Sequence, residues 1–294
     1  MGYRHLAPPW ITPARGAPNR AMQIIYRRRV SASYTPTDTD AIAYLLALAT
    51  ADGATPGAIV QQAVDTYFQG LKSNSLWTLV NQIYLFCGPL TLAGALTPAK
   101  GSSPTNNGFG SGDYNQILGL PGNGTSKYLS INTASNSINV SSHHFSVTCS
   151  GGMETSGDRI AVGSFSGSTG ASLLSLDIFG TGINRSFRSG TFNGGQFPSI
   201  SSGLGASGFL CGSRTAYNAA FVDYNGTTSS NATSLFPSFI AGSPYLYALN
   251  SNGTAAAFSA MSLQIFTRGA GLTTAQSATL RSLNNAYIAA ISAI

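Results

Sequence analysis

The sequence predicts a mainly β fold: a β-sandwich preceded by a helical segment and closed by a helix. Three observations predict it. Only 8 % of the 294 residues are charged, against about 25 % in ordinary globular chains, while 43 % are hydrophobic, so core material is plentiful. The polar remainder is Gly, Ser, Thr and Asn, which suit turns and strand surfaces and serve helices poorly. From about residue 89 to 268, short runs of branched and aromatic residues alternate with Gly, Ser, Asn and Pro clusters, as in a many-stranded sandwich or barrel. Low surface charge also fits a subunit held in an assembly, because a free protein draws solubility from charge.

Residues 1–36 carry Pro8, Pro9, Pro13, Pro18 and Pro36. Proline locks φ and removes a donor, so most of this stretch reads as an extended arm, with a short strand available over 21–26. Arg4, Arg15, Arg20, Arg27, Arg28 and Arg29 fall within the first 30 residues, which contain no acid. The other nine basic residues match the nine acids, so the net charge of +6 belongs to the arm and the body is neutral. A uniformly basic nucleic-acid-binding surface would look different. On a strand Arg28 points away from Arg27 and Arg29, which suits wedging between subunits better than following one groove. The planar guanidinium also pairs carboxylates bidentately. The expected docking residues are therefore Trp10, Arg15, Arg20, Tyr26, Arg27, Arg28 and Arg29. Their expected partner is other protein, ahead of nucleic acid.

Residues 37–88 read as a helical segment packed on the sandwich. Thr37 or Asp38 can cap a helix through Ile42, Leu45, Leu46 and Ala49 that Gly53 closes. Thr55 then caps a second helix with Pro56 at its first position and an apolar face of Ile59, Val60, Ala63, Val64, Tyr67 and Phe68. Leu76, Val80 and Ile83 continue a short helical stripe, and Tyr84-Leu85-Phe86-Cys87 reads as a buried strand ending at Gly88-Pro89. Residues 89–294 read as the sandwich with its terminal helix. Candidate strands are 128–131, 144–148, 158–165, 173–179, 208–210, 219–224, 245–248 and 261–266, and Asn225-Gly226 and Asn252-Gly253 are hairpin turns. Thr273 and Gln276 form a capping box for a last helix that packs through Leu280, Leu283, Tyr287, Ile288 and Ile291.

Several of these pieces together resemble a known family. They are Asp40-Ala41-Ile42-Ala43-Tyr44, Gly70-Leu71-Lys72-Ser73-Asn74-Ser75-Leu76-Trp77, Ile83-Tyr84-Leu85-Phe86-Cys87-Gly88, Asn123-Gly124-Thr125-Ser126-Lys127-Tyr128, and Phe266-Thr267-Arg268-Gly269-Ala270-Gly271-Leu272-Thr273. The chain is similar over roughly 38–294 to the concanavalin A-like, lectin/glucanase-type structural proteins of tailed bacteriophages and prophages. In that family a helix precedes an aromatic strand, a jelly-roll sandwich follows, and a turn introduces a terminal helix. The sequence departs from it at Cys87 and Pro89 and in the loops 101–113 and 189–207, and the arm lies outside the match. The resemblance implies a jelly-roll β-sandwich and a place on a virion.

Glycoside hydrolysis needs two carboxyl groups about 5–9.5 Å apart. Glucanases of the resembled fold carry a Glu-x-Asp-x-Glu strand that this chain lacks; its one glutamate, Glu154, sits with Asp158 in a loop-like stretch. His143 and His144 are adjacent and on a strand face opposite ways, which prevents their sharing a metal. Asp223-Tyr224-Asn225 reads as a hairpin turn rather than a calcium site, and no nucleophile elbow or phosphate loop is present. Cys87, Cys149 and Cys211 are expected to be small buried hydrophobes in a reduced compartment. Trp77, Tyr84 and Phe86 are expected in the core rather than stacked on a sugar.

The expected protein is therefore a non-enzymatic virion component without cofactor, made in a host bacterial cytoplasm. It would be tail-associated in a fibre or baseplate, anchored by the arm, oligomeric, and lectin-like toward host-surface glycan. A capsid decoration protein, a stand-alone carbohydrate-binding adhesin and a depolymerase are the alternatives. No apolar run reaches the roughly 20 residues that span a membrane.

Overall fold

The computed structural model describes residues 33–153, 159–165, 172–179, 184–191, 197–201, 205–231 and 242–294. Trp10, Arg15, Arg20, Tyr26, Arg27, Arg28 and Arg29, the short strand expected over 21–26, and the acids Glu154 and Asp158 lie outside the described residues.

Helix α1 (Thr39–Asp52) starts where the sequence places it, because the Asp38 carboxylate accepts from the Asp40 and Ala41 amides, and it ends on Gly53 at φ 69°. Its buried face is Ala41, Tyr44, Leu45 and Leu48; Ile42 and Leu46, expected in that face, are 38 % and 65 % exposed. Helix α2 (Ala58–Ser73) begins two residues later than expected. Gly57 is its N-cap and provides no side-chain hydrogen bond, so Thr55 is not the cap. Pro56 lies before the helix, where its carbonyl accepts from Gln61 Nε2 at 2.7 Å.

Fully buried Asp65, in the middle of α2, holds the chain entering α1. It accepts from the Asp38 amide at 2.8 Å, the Thr37 amide at 3.1 Å, the Tyr34 hydroxyl at 2.7 Å and Gln69 Nε2 at 2.9 Å. Burial pushes its carboxyl up, and the bonds from Asp38, Tyr34 and Thr37 outweigh that and leave it below the ordinary carboxylate value.

The helical stripe expected through Leu76, Val80 and Ile83 is instead strand β1 (Val80–Leu85), with Phe86 and Cys87 buried just past its end. It pairs antiparallel with β16 (Ser262–Gly269), and the sheet continues through β5 (His143–Gly151), β10 (Gly208–Ala216), β11 (Ala219–Tyr224) and β12 (Thr227–Asn231), with β3 (Leu120–Pro121) on the outer end of β16. The second sheet runs β2 (Thr105–Asn107), β4 (Tyr128–Ser130), β13 (Tyr245–Leu246), β6 (Arg159–Phe165), β7 (Ser172–Phe179), β8 (Asn184–Thr191) and β9 (Ser199–Ile200). Hairpin β14 (Leu249–Ser251) and β15 (Thr254–Ala256) joins it through a parallel pairing of β14 with β6; the other pairings are antiparallel. Short helix α3 (Leu92–Ala95) and the long C-terminal α4 (Thr274–Ile291) complete the elements used below. Asn225-Gly226 and Asn252-Gly253 are the hairpin turns expected, with φ of 50° and 98° at the first pair, as a two-residue turn with both residues left-handed requires.

The fold is a β-sandwich with a helical layer on one sheet. One core lies between the sheets and includes Tyr84, Phe86, Phe145, Val147, Val162, Leu176, Phe187, Leu210, Val222 and Phe266. The other lies between the first sheet and helices α1, α2 and α4 and includes Phe68, Leu71, Ile83, Leu85, Cys87, Phe209, Cys211, Ile265, Leu280 and Tyr287. Strand alternation divides β1 between the two cores. A sheet covered on both faces carries near-continuous apolar runs, which lack a clear period of two. Helix α4 is fixed to this sheet by polar bonds as well: Tyr67 donates to Asn284 Oδ1 at 2.8 Å, Asn284 Nδ2 donates to Thr148 Oγ1 at 3.0 Å, and Tyr287 donates to the Cys87 carbonyl at 2.7 Å.

The aromatic and cysteine expectations follow from these cores. Tyr84 and Phe86 are fully buried, and Cys87, Cys149 and Cys211 are free and buried. Trp77 is half-buried against Phe68, with the Lys72 and Lys100 ammonium groups 4.9 and 4.2 Å from its ring centre.

Candidate functional site

The histidine pair behaves as strand alternation requires. His143 points between the two sheets. Its Nδ1 lies 2.8 Å from the Asn139 carbonyl, which can only accept, so Nδ1 carries the proton and Nε2 accepts from the Ser189 hydroxyl at 2.8 Å. His144 points to the helical side, where Nδ1 donates to the Ala270 carbonyl at 2.6 Å and Nε2 faces Thr267 Oγ1 at 3.2 Å. Burial drives both imidazoles down, to about 3 for His143 and about 4 for His144. The Arg214 charge adds to the effect at His143 and the Arg268 charge at His144.

A serine donating to a histidine is the contact of a nucleophile with its base. Here the imidazole is held so far down that it is a poor proton acceptor near neutrality. The serine oxygen also accepts from Arg214 Nε at 3.2 Å, and His143, Ser189 and Arg214 are all buried. Chemically, the group is a polar bridge between the sheets, from β5 and β10 to β8.

Arg214 carries that bridge outward. Nη2 donates to the Ser189 carbonyl at 2.8 Å, and Nη1 donates to the Tyr217 carbonyl at 2.6 Å. Tyr217 and Asn218 form the turn between β10 and β11, so a buried guanidinium fixes a surface turn whose tyrosine is 59 % exposed. Next to it, the Ser213 hydroxyl donates to the Leu272 carbonyl and accepts from the Leu272 amide, at 2.8 and 2.7 Å. This docks the entry to α4 on β10. Gly271 permits the approach, since a Cβ there would stand 1.9 Å from the Arg214 carbonyl oxygen. The capping box of Thr273 and Gln276 then sets the first turn of α4.

Past that first turn the helical side of the sheet opens into a cleft of about 340 Å³ lined by Thr215, Asn218, Phe221, Ser230, Asn231 and Thr274 with two alanines. Ser213, Phe221 and Ser230 stand side by side in the register of β10, β11 and β12, which puts them on one face. Phe221 is 6 % exposed and forms the floor, whereas Thr215, Asn218, Ser230 and Thr274 are exposed. Among the described residues no charged side chain lines the cleft. Asp223, two residues from Phe221 on the same face, is taken up by Ser277 Oγ at 2.9 Å, Arg281 Nη1 at 2.9 Å and the Gly226 amide at 2.8 Å. That settles Asp223-Tyr224-Asn225 as a hairpin turn anchored to α4.

The sequence reading missed this cleft. Its lining comes from β10, β11, β12 and α4, and the available signal was local: an exposed-looking Tyr-Asn turn before an alternating strand, and a Thr-Thr-Ser-Ser-Asn strand after Asn225-Gly226. Among the described residues no three of His, Cys, Asp and Glu converge as metal ligands, and no helix is long and apolar enough to cross a membrane.

No family model matches the chain, and no curated protein matches it. Solved structures similar to it include the NanB sialidase of Streptococcus pneumoniae, at 13 % identity and a TM-score of 0.37 over 52 % of this chain and 26 % of that one. The carbohydrate-binding module CBM40 of the Ruminococcus gnavus IT-sialidase matches at 12 % identity and 0.37 over 48 % and 83 %. Domain 4 of AbnA, a GH43 extracellular arabinanase of Geobacillus stearothermophilus, solved with arabinotriose, matches at 14 % identity and 0.40 over 69 % and 98 %. The chain thus spans about a quarter of the length of the sialidase.

Proposed function

We propose that this chain is a contact protein of a bacteriophage particle: a non-enzymatic, lectin-like β-sandwich, tail-associated, anchored through its basic N-terminal arm and presenting its sandwich to host-surface glycan. The observation that carries the contact role is the division of labour around the cleft. The ionisable groups beside it, Arg214 and Asp223, hold the turn and the helix in place. The open surface itself is amide, hydroxyl and aromatic. Ser and Asn provide adaptable polar contact at small entropic cost, and a wall whose described residues include neither acid nor base offers nothing to move a proton during bond cleavage. The virion placement rests on the family resemblance of residues 38–294 and on an arm that holds the whole net charge of +6.

Two measurements on the full chain test this reading. Particles assembled with a chain lacking residues 1–31 should lose the protein, and undiminished incorporation would refute arm anchoring. Purified protein incubated with host polysaccharide should release no new reducing ends; sustained release would make it a depolymerase.

A further inference from the structure

We propose that the cleft between the β10–β11 turn, β12 and the first turn of α4 is the sugar site, and that it selects uncharged saccharide over anionic saccharide. This deepens the glycan-contact reading and rests on it.

The argument begins with size. A cleft of about 340 Å³ is at the lower end of small-molecule sites, which run from about 300 to 1,000 Å³, so it takes one or two sugar residues and leaves the rest of a chain in solvent. Chemistry comes next. Asn218 offers an amide that both donates and accepts, and Thr215, Ser230 and Thr274 offer hydroxyls that do the same. A sugar hydroxyl also donates and accepts, so such a wall matches it without leaving a buried group unpaired. Below them the ring of Phe221 is an apolar floor. The C–H face of a pyranose packs on such rings while its hydroxyls turn to the amides.

Selectivity follows from where the cations are. Recognition of a carboxylate or sulfate calls for Arg or Lys, in the bidentate case for Arg. Among the described residues no cationic side chain lines the cleft. The nearby guanidinium of Arg281 is turned to Asp223, at 2.9 and 3.1 Å. That of Arg214 is turned to Ser189 and the Tyr217 carbonyl. The first turn of α4 presents its capping box, in which Gln276 Oε1 already accepts from the Thr273 amide and Thr273 Oγ1 from the Gln276 amide, at 2.8 and 3.2 Å. Desolvating an anion against amides and hydroxyls alone is unfavourable.

The test titrates the full-length chain by calorimetry against maltotriose, triacetylchitotriose and dextran as neutral probes and against 3′-sialyllactose and polygalacturonate as anionic ones. The expected result is saturable binding of at least one neutral probe, at least tenfold tighter than either anionic probe. Asn218→Ala and Ser230→Ala, both at exposed positions in the lining, should each weaken it tenfold or more with the melting temperature unchanged. Neutral binding that both variants retain in full would overturn the cleft as the site and leave the glycan-contact reading standing. Tighter binding of an anionic probe would overturn the selectivity. Binding of none of the five would overturn the proposal and the reading together.

Discussion

Two groups of buried side chains make residue-scale predictions. Asp65 receives bonds from two backbone amides, a tyrosine hydroxyl and a glutamine amide in a fully buried position. Hydrogen bonds to a charged group are worth about 1.5–3 kcal/mol each, and the donors left behind are costly. Asp65→Ala should therefore destabilise the protein by about 2–4 kcal/mol, and Asp65→Asn by less, because the amide oxygen still accepts. Denaturant unfolding of the two variants checks the order, and an Ala variant as stable as wild type would remove Asp65 as the clamp. Because its carboxyl lies below its ordinary value when folded, its contribution is present above about pH 4 and is lost as pH falls through the folded value. His143 and His144 act over a different window. Their folded values of about 3 and about 4 lie under the ordinary 6.5, so the unfolded chain binds more protons between. Stability should fall as pH drops from about 6.5 toward 4, and the melting temperature of His144→Gln should depend less on pH across that range. A slope unchanged by the substitution would show that His144 titrates normally. The sequence disclosed part of this chemistry: the opposite facing of the two histidines follows from strand alternation alone. It did not disclose Asp65 or Arg214, because a buried acid on an apolar helix face and a buried arginine in a strand are legible only when their partners, 27 and 25 residues away, are in place.

At the scale of elements, hydrophobic period and caps placed α1, α4, β11 and the two Asn-Gly hairpins, where a single local signal decides. They misplaced the start of β1, because a strand buried on both faces has no period of two and Leu76, Val80 and Ile83 happen to fall at helical spacing. They passed over β8 altogether. Asn184–Thr191 has Phe187 as its one large apolar residue, yet it pairs along its whole length with β7, and Leu176 and Phe187 stand opposite each other in the inter-sheet core. Pairing with a neighbour supplied what the local sequence lacked. Phe187 reaches the other sheet at Gly212, where a Cβ would stand 2.2 Å from the ring and 2.6 Å from the Phe187 Cβ. Since the conflict involves the base of the side chain as well as its tip, rotating the ring cannot relieve it. Gly212→Ala should cost about 1–3 kcal/mol by overpacking. A Phe187→Leu change made with it should recover part of the loss, measured as a double-mutant cycle. Additive losses would mean that the two residues do not meet.

For the whole molecule, charge is the property that sets it apart. The nine basic and nine acidic residues of 32–294 cancel, so all of the formal +6 resides in the first 30 residues. A body of zero net charge with few charged groups has little colloidal repulsion. At the same time its outer helical surface leaves Ile42, Leu46 and Ile59 exposed at 38, 65 and 39 %. The charge of residues 1–30 should therefore have a colloidal consequence, keeping copies of the chain apart in solution. A chain lacking residues 1–31 should lose solubility near neutral pH and low ionic strength, regain it at pH 4–5 as the acids protonate and the body becomes cationic, and keep the secondary structure of the full chain. Light scattering against pH, read beside circular dichroism, checks this. Replacing the six arginines with glutamine in the full chain should reproduce the loss, whereas replacing them with lysine should not, because repulsion depends on charge and not on guanidinium geometry. If the glutamine chain stays as soluble as wild type, the arm's charge has no colloidal role. If the lysine chain is soluble yet is left out of particles, the two roles separate: charge keeps the subunits apart, and the bidentate fork of arginine docks them.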